Sequence, residues 1–371
     1  MLFLFIPFIV YFFILLIFAL TNFIHKPRSL DSKPSFGVSI IVAIRNGDKS
    51  INDLISNLSA QDYLGPIEFI LVDDESTDQT KKIILETVKV DSRFKYVSSL
   101  DGNKALSLKK KALDIGIQQS KYEYLFFTDV DCKMNVSWVS TMSKYFLLGY
   151  DYLVGYSFTD RSRSMNLVSR FQSLDLFFLM VLCRGSSFIT APWACSGQNQ
   201  GFTKSLYNKV KGFSSITDFI GDDTAFLHLC KKYHAKITFV DEYNACILSR
   251  KEEKVSSLLL QRARWAFDAN QIWRVNFSFY ILLVVTFFAY LTIPFLIYSQ
   301  MLFFNQLVIL IGFKVLLEFI LIFIGENRYP YKIKWFDFIV WEIFHIPYVI
   351  IVGIMSFFGN QIQWKNRHIS I

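Results

Sequence analysis

Tyr124-Leu125-Phe126-Phe127-Thr128-Asp129-Val130-Asp131 is a short apolar run that ends in two carboxylates. Its length and aromatic content suit a buried strand. Upstream, a second apolar run over 67–72 ends in Asp73-Asp74. Further upstream, Val38-Ser39-Ile40-Ile41-Val42-Ala43-Ile44 is a run rich in β-branched residues, suited to a parallel strand buried on both faces. Helical spacing fills the gaps. It covers 50–58, then a segment through Thr87 that Ser76-Thr77-Asp78 would cap, then a basic amphipathic stretch over 106–119. Strands alternating with helices predict βαβ units and a mostly parallel α/β sheet. Ligands bind such sheets at the carboxyl ends of the strands, which is where both acidic pairs stand.

Each acidic group has a functional and a structural reading. Asp129 and Asp131 at a breaking strand end suit a sugar hydroxyl and a hard divalent cation on a nucleotide diphosphate, or a simple turn. Asp73 and Asp74 suit the base and ribose of a nucleotide, or a helix cap. Gly221-Asp222-Asp223 offers two adjacent carboxylates whose repulsion raises one pKa, as a general base needs. It also suits a helix N-terminus, which attracts acids. Gln261-Arg262-Ala263-Arg264-Trp265 offers an arginine fork for phosphate and an indole for stacking on a sugar, or a membrane-interface anchor.

Charged residues make up 19% of the 371 and hydrophobic ones 53%. The charge deficit lies at the two ends of the chain. Residues 2–20 carry no charge, enough to cross a bilayer as an uncleaved anchor over 1–24. His25, Lys26, Arg28 and Lys33 follow it and place that side in the cytosol. Three more apolar spans cover 277–299, 301–324 and 336–358 within a C-terminal region over 271–371. The last span holds Asp337, Glu342, His345 and Pro347, so a crossing helix and a re-entrant or interfacial segment are both open. A linker over 25–36 leads to a cytosolic domain over 37–270. Within that domain, 165–184 reads as a helix lying in the membrane interface or as a buried core helix. Lys314 and Glu318 stand four apart and can pair on one helix face. The net charge of +8 fits anionic lipid and a polyanionic substrate. It does not point to nucleic acid, since no basic run with interleaved aromatics appears. The five cysteines form no CxxC pair and argue for a reducing compartment without a disulfide frame or zinc site.

The motifs together resemble the membrane-bound family 2 glycosyltransferases, the group of cellulose, chitin and hyaluronan synthases and ceramide glucosyltransferases. The resemblance rests on Val72-Asp73-Asp74-Glu75-Ser76-Thr77-Asp78, Thr128-Asp129-Val130-Asp131-Cys132, Gly197-Gln198-Asn199 through Gly212-Phe213, Asp222-Asp223, and Gln261 to Trp265 as QxxRW. It implies a Rossmann-like GT-A fold flanked by transmembrane helices, and an inverting transfer from a nucleotide sugar, UDP-linked by expectation. The acceptor it implies is a lipid, a lipid-linked glycan or a glycan. It also implies Mg²⁺ or Mn²⁺, a bacterial cell membrane and cell-envelope glycan synthesis.

By the same resemblance, Asp73 and Asp74 lie by the base, Lys109 or Lys110 near the nucleotide, and Asp129 on the donor. Asp131, with Asp129, takes the metal. Asp223 is the base beside Asp222, and Gln261, Arg264 and Trp265 close over diphosphate and acceptor. Three positions depart from the family pattern. Asn46-Gly47 replaces Asn-Glu, Leu108 replaces a glycine, and Asp222 replaces a glutamate. A processive polysaccharide synthase is the alternative within the class. Outside it stand an inactive partner subunit and a membrane protein that only binds a ligand.

Overall fold

The computed structural model describes residues 2–25, 31–161, 164–302, 304–329, 331–361, 363–364 and 367–368. Lys26 and Arg28, part of the charge pattern after the first apolar span, lie outside the described residues. The elements begin α1 (Leu2–Ile24), β1 (Val38–Ile44), α2 (Ile51–Ser59), β2 (Ile67–Asp73), α3 (Thr80–Val90), β3 (Phe94–Ser98) and α4 (Leu108–Gln118). Next come β4 (Tyr124–Phe127), β5 (Lys133–Met134), α5 (Trp138–Leu147), β6 (Tyr152–Gly155), β7 (Ser157–Thr159) and α6 (Leu167–Ser187). Then follow β8 (Gln200–Thr203), α7 (Lys204–Lys209), α8 (Thr224–Lys232), β9 (Ile237–Val240), β10 (Ile247–Ser249) and α9 (Val255–Ala269). Three long helices come after them: α10 (Phe277–Ser299), α11 (Phe304–Glu326) and α12 (Trp335–Met355).

The chain divides into two compact units. Residues 27–160 and 194–250 make an α/β unit, and residues 1–26, 161–193 and 251–371 make a helical one. This differs from the single domain over 37–270 that the sequence suggested. The reason lies in α6 and α9, whose partners are the apolar helices.

The α/β unit has a seven-stranded sheet in the order β3-β2-β1-β4-β8-β6-β9. β1 runs parallel to β2 and β4, and β2 parallel to β3. β8 alone in this sheet is antiparallel to its neighbours, β4 and β6. The residues of β1 explain its central place. Val38, Ile40, Ile41, Val42 and Ile44 are fully buried, so both of its faces are covered by apolar contacts. Ile44 pairs in register with Asp73, and Ile41 with Phe127. That register brings the ends of β1, β2 and β4, and the acidic turns after them, to one edge of the sheet.

In the helical unit α1, α10, α11 and α12 are each long and apolar enough to cross a membrane. The 23 residues of α11, at about 1.5 Å each, span about 34 Å against a hydrocarbon core of about 30 Å. α12 is one continuous helix, and its polar residues are matched inside the unit rather than turned to lipid. Asp337 takes Arg161 at 2.9 Å and Arg170 at 2.7 Å. Glu342 takes Lys314 at 2.7 Å.

The segment over 165–184 is α6. An interfacial helix leaves one face to lipid, but α6 buries Phe171, Leu174, Asp175, Phe177, Phe178, Val181 and Arg184 on all sides. It packs against α1, α11 and α12. Its buried Arg184 donates to Asn22 Oδ1 at 2.9 Å and to His25 O at 2.8 Å, satisfying carbonyls at the end of α1.

Candidate active site

The loops after β1 and β2 are laced together by short polar side chains. Asn46, in the left-handed region with φ 50°, accepts from Thr77 N at 2.8 Å through Oδ1. Gly47 N donates to Thr80 Oγ1 at 2.8 Å, and Asp48 N to Asp78 Oδ2 at 3.1 Å. Asp73 and Asp74 are both buried. Asp73 accepts from Ser76 N at 3.1 Å, and Asp74 from Ser99 Oγ at 3.0 Å. Each carboxylate therefore stabilises the loop edge at the end of β2. The helix expected after this segment begins at Thr80, whose N–H the Asp78 carboxylate accepts at 2.9 Å.

Lys109 stands at the centre of the cluster. Its Nζ lies 2.9 Å from Asp129 Oδ1 and 3.7 Å from Asp222 Oδ2. Burial alone would lower its pKa, but the charges of Asp129 and then Asp222 overcome this and hold the ammonium above the lysine range. Lys110, read from sequence together with Lys109, turns the other way. Its buried Nζ donates to Ile216 O at 3.1 Å and to Phe219 O. That contact fixes the loop leading to Asp222-Asp223, so Lys110 shapes the site from behind instead of facing it.

Leu108, which precedes this pair, has φ 54°. A side chain in that region costs about 1 kcal/mol or more, and glycine avoids the cost. This explains the glycine of the family pattern in physical terms. Leu108→Gly is expected to raise the thermal midpoint by a few degrees, corresponding to about 1 kcal/mol, without loss of activity. A melting curve of the purified protein checks it, and a lowered midpoint would contradict it.

Asp223 caps α8, accepting from Thr224 N at 2.6 Å. Its other oxygen accepts from Gly197 N at 3.0 Å. Burial, then the charge of Asp222, pushes its carboxyl up to about 6 despite these two hydrogen bonds. Asp222 is buried, and its Oδ2 makes no hydrogen bond among the described residues. Gly197 allows this close assembly. A Cβ there would lie 3.2 Å from Asp222 Oδ2 and 3.3 Å from Lys109 Nζ. Asp131 lies in the turn after β4, with its side chain exposed. Next to it, Cys132 Sγ donates to Gln198 Oε1 at 3.3 Å. Asn199 is a buried post. It accepts from Trp138 Nε1 at 3.0 Å and donates to Tyr156 O and Ala245 O at 2.8 and 2.9 Å.

The QxxRW stretch lies on α9 in the helical unit and is described there. Gln261 Oε1 accepts from Gln172 Nε2 of α6 at 3.3 Å. Arg262 is buried, with Nη2 2.8 Å from Asp175 Oδ2. Arg264 is half-buried and Trp265 is 40% exposed. The two arginines that sequence could not tell apart thus have different surroundings.

A profile described as glycosyl transferase family group 2 matches residues 145–350, and one described as glycosyl transferase family 2 matches residues 39–206. The chain belongs to the family 2 glycosyltransferases. Among curated relatives of this family 2 chain is a poly-beta-1,6-N-acetyl-D-glucosamine synthase of Staphylococcus epidermidis. It is 26% identical over 64% of this chain and 55% of the relative. The synthase of that name from Staphylococcus aureus strain COL is 28% identical over 66% of this chain and 58% of its own length. The chain thus spans little more than half the length of these relatives. Among solved structures, a mannosyltransferase from Pyrobaculum calidifontis, determined with GDP-Man and Mn²⁺, aligns with a TM-score of 0.62 and 16% identity. That alignment covers 96% of this chain and 98% of the other and supports the GT-A fold.

Sequence reasoning missed Gly197 as a hydrogen-bond donor and Asp175 as the partner of Arg262. Asp175 had a signal: it is a lone acid entering an apolar run. Such a residue needs a buried partner of opposite charge.

Proposed function

We propose that this chain transfers a sugar from a nucleotide diphosphate donor to an acceptor hydroxyl, with inversion at the anomeric carbon. The observation that carries the proposal is the Lys109 bridge, which joins the acidic turn after β4 to the acid pair at the start of α8. Asp223 takes the proton of the acceptor hydroxyl. The freed oxygen bonds to the anomeric carbon as the bond to the diphosphate breaks. Lys109, already between carboxylates, lies where negative charge grows on the departing diphosphate. Asp73 and Asp74 keep the nucleotide loop rigid. Gln261, Arg264 and Trp265 are assigned to the diphosphate and acceptor side.

No three His, Cys, Asp or Glu side chains gather to hold a metal among the described residues. An exposed Asp131 next to Asp129 still fits Mg²⁺ or Mn²⁺, because these ions use one or two carboxylates and take their other oxygens from phosphate and water. Bound there, the ion would neutralise charge on the diphosphate. The apolar helices favour an acceptor at a membrane, with this unit on the cytosolic side. The relatives favour an N-acetylhexosamine donor.

A panel of UDP-, GDP- and dTDP-sugars with Mn²⁺ or Mg²⁺, read as released nucleotide in membranes, tests the reading. Asp131→Ala should lower release about 100-fold. Release at the unaltered rate would remove the metal assignment. A second reading, processive synthesis, is favoured by the polysaccharide synthases among the relatives. Product length after incubation with a labelled donor separates the two, since a ladder means repeated addition.

A further inference from the structure

The two arginines of Gln261-Arg262-Ala263-Arg264-Trp265 are chemically equal in sequence and unequal in the fold. Arg262 is 3% exposed and Asp175, from α6, also 3%. Their atoms Nη2 and Oδ2 stand 2.8 Å apart. Asp175 Oδ2 further accepts from Tyr348 of α12 at 3.2 Å. The guanidinium carbon of Arg262 lies 4.2 Å from the centre of the Trp265 ring. Gln172, one turn before Asp175 on α6, donates to Gln261 and accepts from Glu252 N at 2.6 Å. α6 thus meets the first two residues of the motif on α9, and α12 braces the α6 carboxylate from behind.

We infer that Asp175, held by Tyr348, positions Trp265 through Arg262: the carboxylate fixes the guanidinium, and the guanidinium fixes the indole. Arg262 and Trp265 stand at i and i+3, so their side chains meet on one face of α9. A planar cation against an indole face sets the angle of the ring as well as its place. None of Nε, Nη1 and Nη2 of Arg262 makes a hydrogen bond among the described residues, so its contact with Asp175 is an ion pair. Orientation of this cation thus depends on the Asp175 contact and the ring. Arg262 is a positioning residue, which leaves Arg264 as the arginine of the pair for the diphosphate.

This inference rests on the reading of Trp265 as part of the acceptor side, and its test separates the two. The full chain is labelled with 5-fluorotryptophan, giving seven tryptophan sites. Trp265→Phe identifies the Trp265 resonance in the ¹⁹F spectrum, recorded in detergent without any nucleotide sugar. Asp175→Asn and Arg262→Met should shift or broaden that resonance and leave that of Trp138, in the α/β unit, in place. Arg262→Lys keeps the charge but loses the planar fork, and should move it less in the same direction. If Arg262→Met does not fold, Arg262→Lys carries the comparison.

In membranes with UDP-N-acetylglucosamine, Asp175→Asn should lower the transfer rate about tenfold while the donor KM stays within about twofold. A Trp265 resonance unmoved in Asp175→Asn and Arg262→Lys overturns the inference, whatever the activity. A moved resonance with unchanged transfer upholds the positioning and removes Trp265 from the acceptor side.

Discussion

Asp223→Asn is expected to lower sugar transfer about 1000-fold, within the range for loss of a general base, without lowering the thermal midpoint. Asparagine is nearly as good a helix cap as aspartate, so the bond to Thr224 N survives and α8 stays anchored. The substitution also removes a buried negative charge beside Asp222. In the folded chain the Asp223 carboxyl is raised from 3.8 to about 6. The folded state thus binds this proton more tightly than the unfolded one. That contributes stability below about pH 4, and the contribution is lost as pH rises through about 6. At neutral pH the ionised carboxylate therefore costs stability, up to about 3 kcal/mol for a shift of about two units.

The same group sets the acid side of the pH profile. Asp223 accepts a proton only when ionised, so the transfer rate should rise with pH and level off above about 6. Asp222→Asn removes the second cause of the raised pKa and should move that limb to lower pH. Rates from pH 4.5 to 8 on the unaltered chain and on Asp222→Asn check this. Transfer by Asp223→Asn within tenfold of the unaltered chain would dismiss Asp223 as the base.

The α/β unit was legible because its strands carry their own evidence. The run from Val38 to Ile44 is a strand over those same residues. Tyr124 to Phe127 ends before Asp129, as its apolar run does. What sequence could not supply was the partner of each polar group. Lys109 and Lys110 are adjacent and identical, and only the fold sends one to Asp129 and Asp222 and the other to loop carbonyls. The same holds for Asp73 and Asp74, whose pattern suited nucleotide contact and loop support equally. The division of residues 37–270 between the two compact units was hidden for a related reason. Segment 165–184 is too short and too polar to register as a membrane span. Its burial among α1, α11 and α12 comes from contacts distant in sequence. The Lys314–Glu318 pair was readable, because i, i+4 spacing fixes proximity on one helix. The other residues gathered around it were not.

Lys314→Met is expected to destabilise the helical unit by about 3–5 kcal/mol, the cost of leaving a buried charge without its partner. Lys314 Nζ lies 2.8 Å from Glu318 and 2.7 Å from Glu342, in a site that buries all but 2% of the lysine side chain. Glu318 also accepts from Tyr11 at 2.6 Å and Tyr290 at 2.7 Å. His345 Nδ1 stands 3.6 Å from its other oxygen. Residues of α1, α10, α11 and α12 thus meet at one carboxylate. In an apolar setting such a network cannot be replaced by water, so removal of the one lysine leaves two acids facing each other. Lys314→Met combined with Glu318→Gln should recover most of the loss, since a neutral amide still accepts from both tyrosines and no longer needs a cation. The coupling between the two positions is read from a double-mutant cycle of unfolding midpoints in detergent. Additive losses at the two positions would show that the lysine and the glutamate act independently.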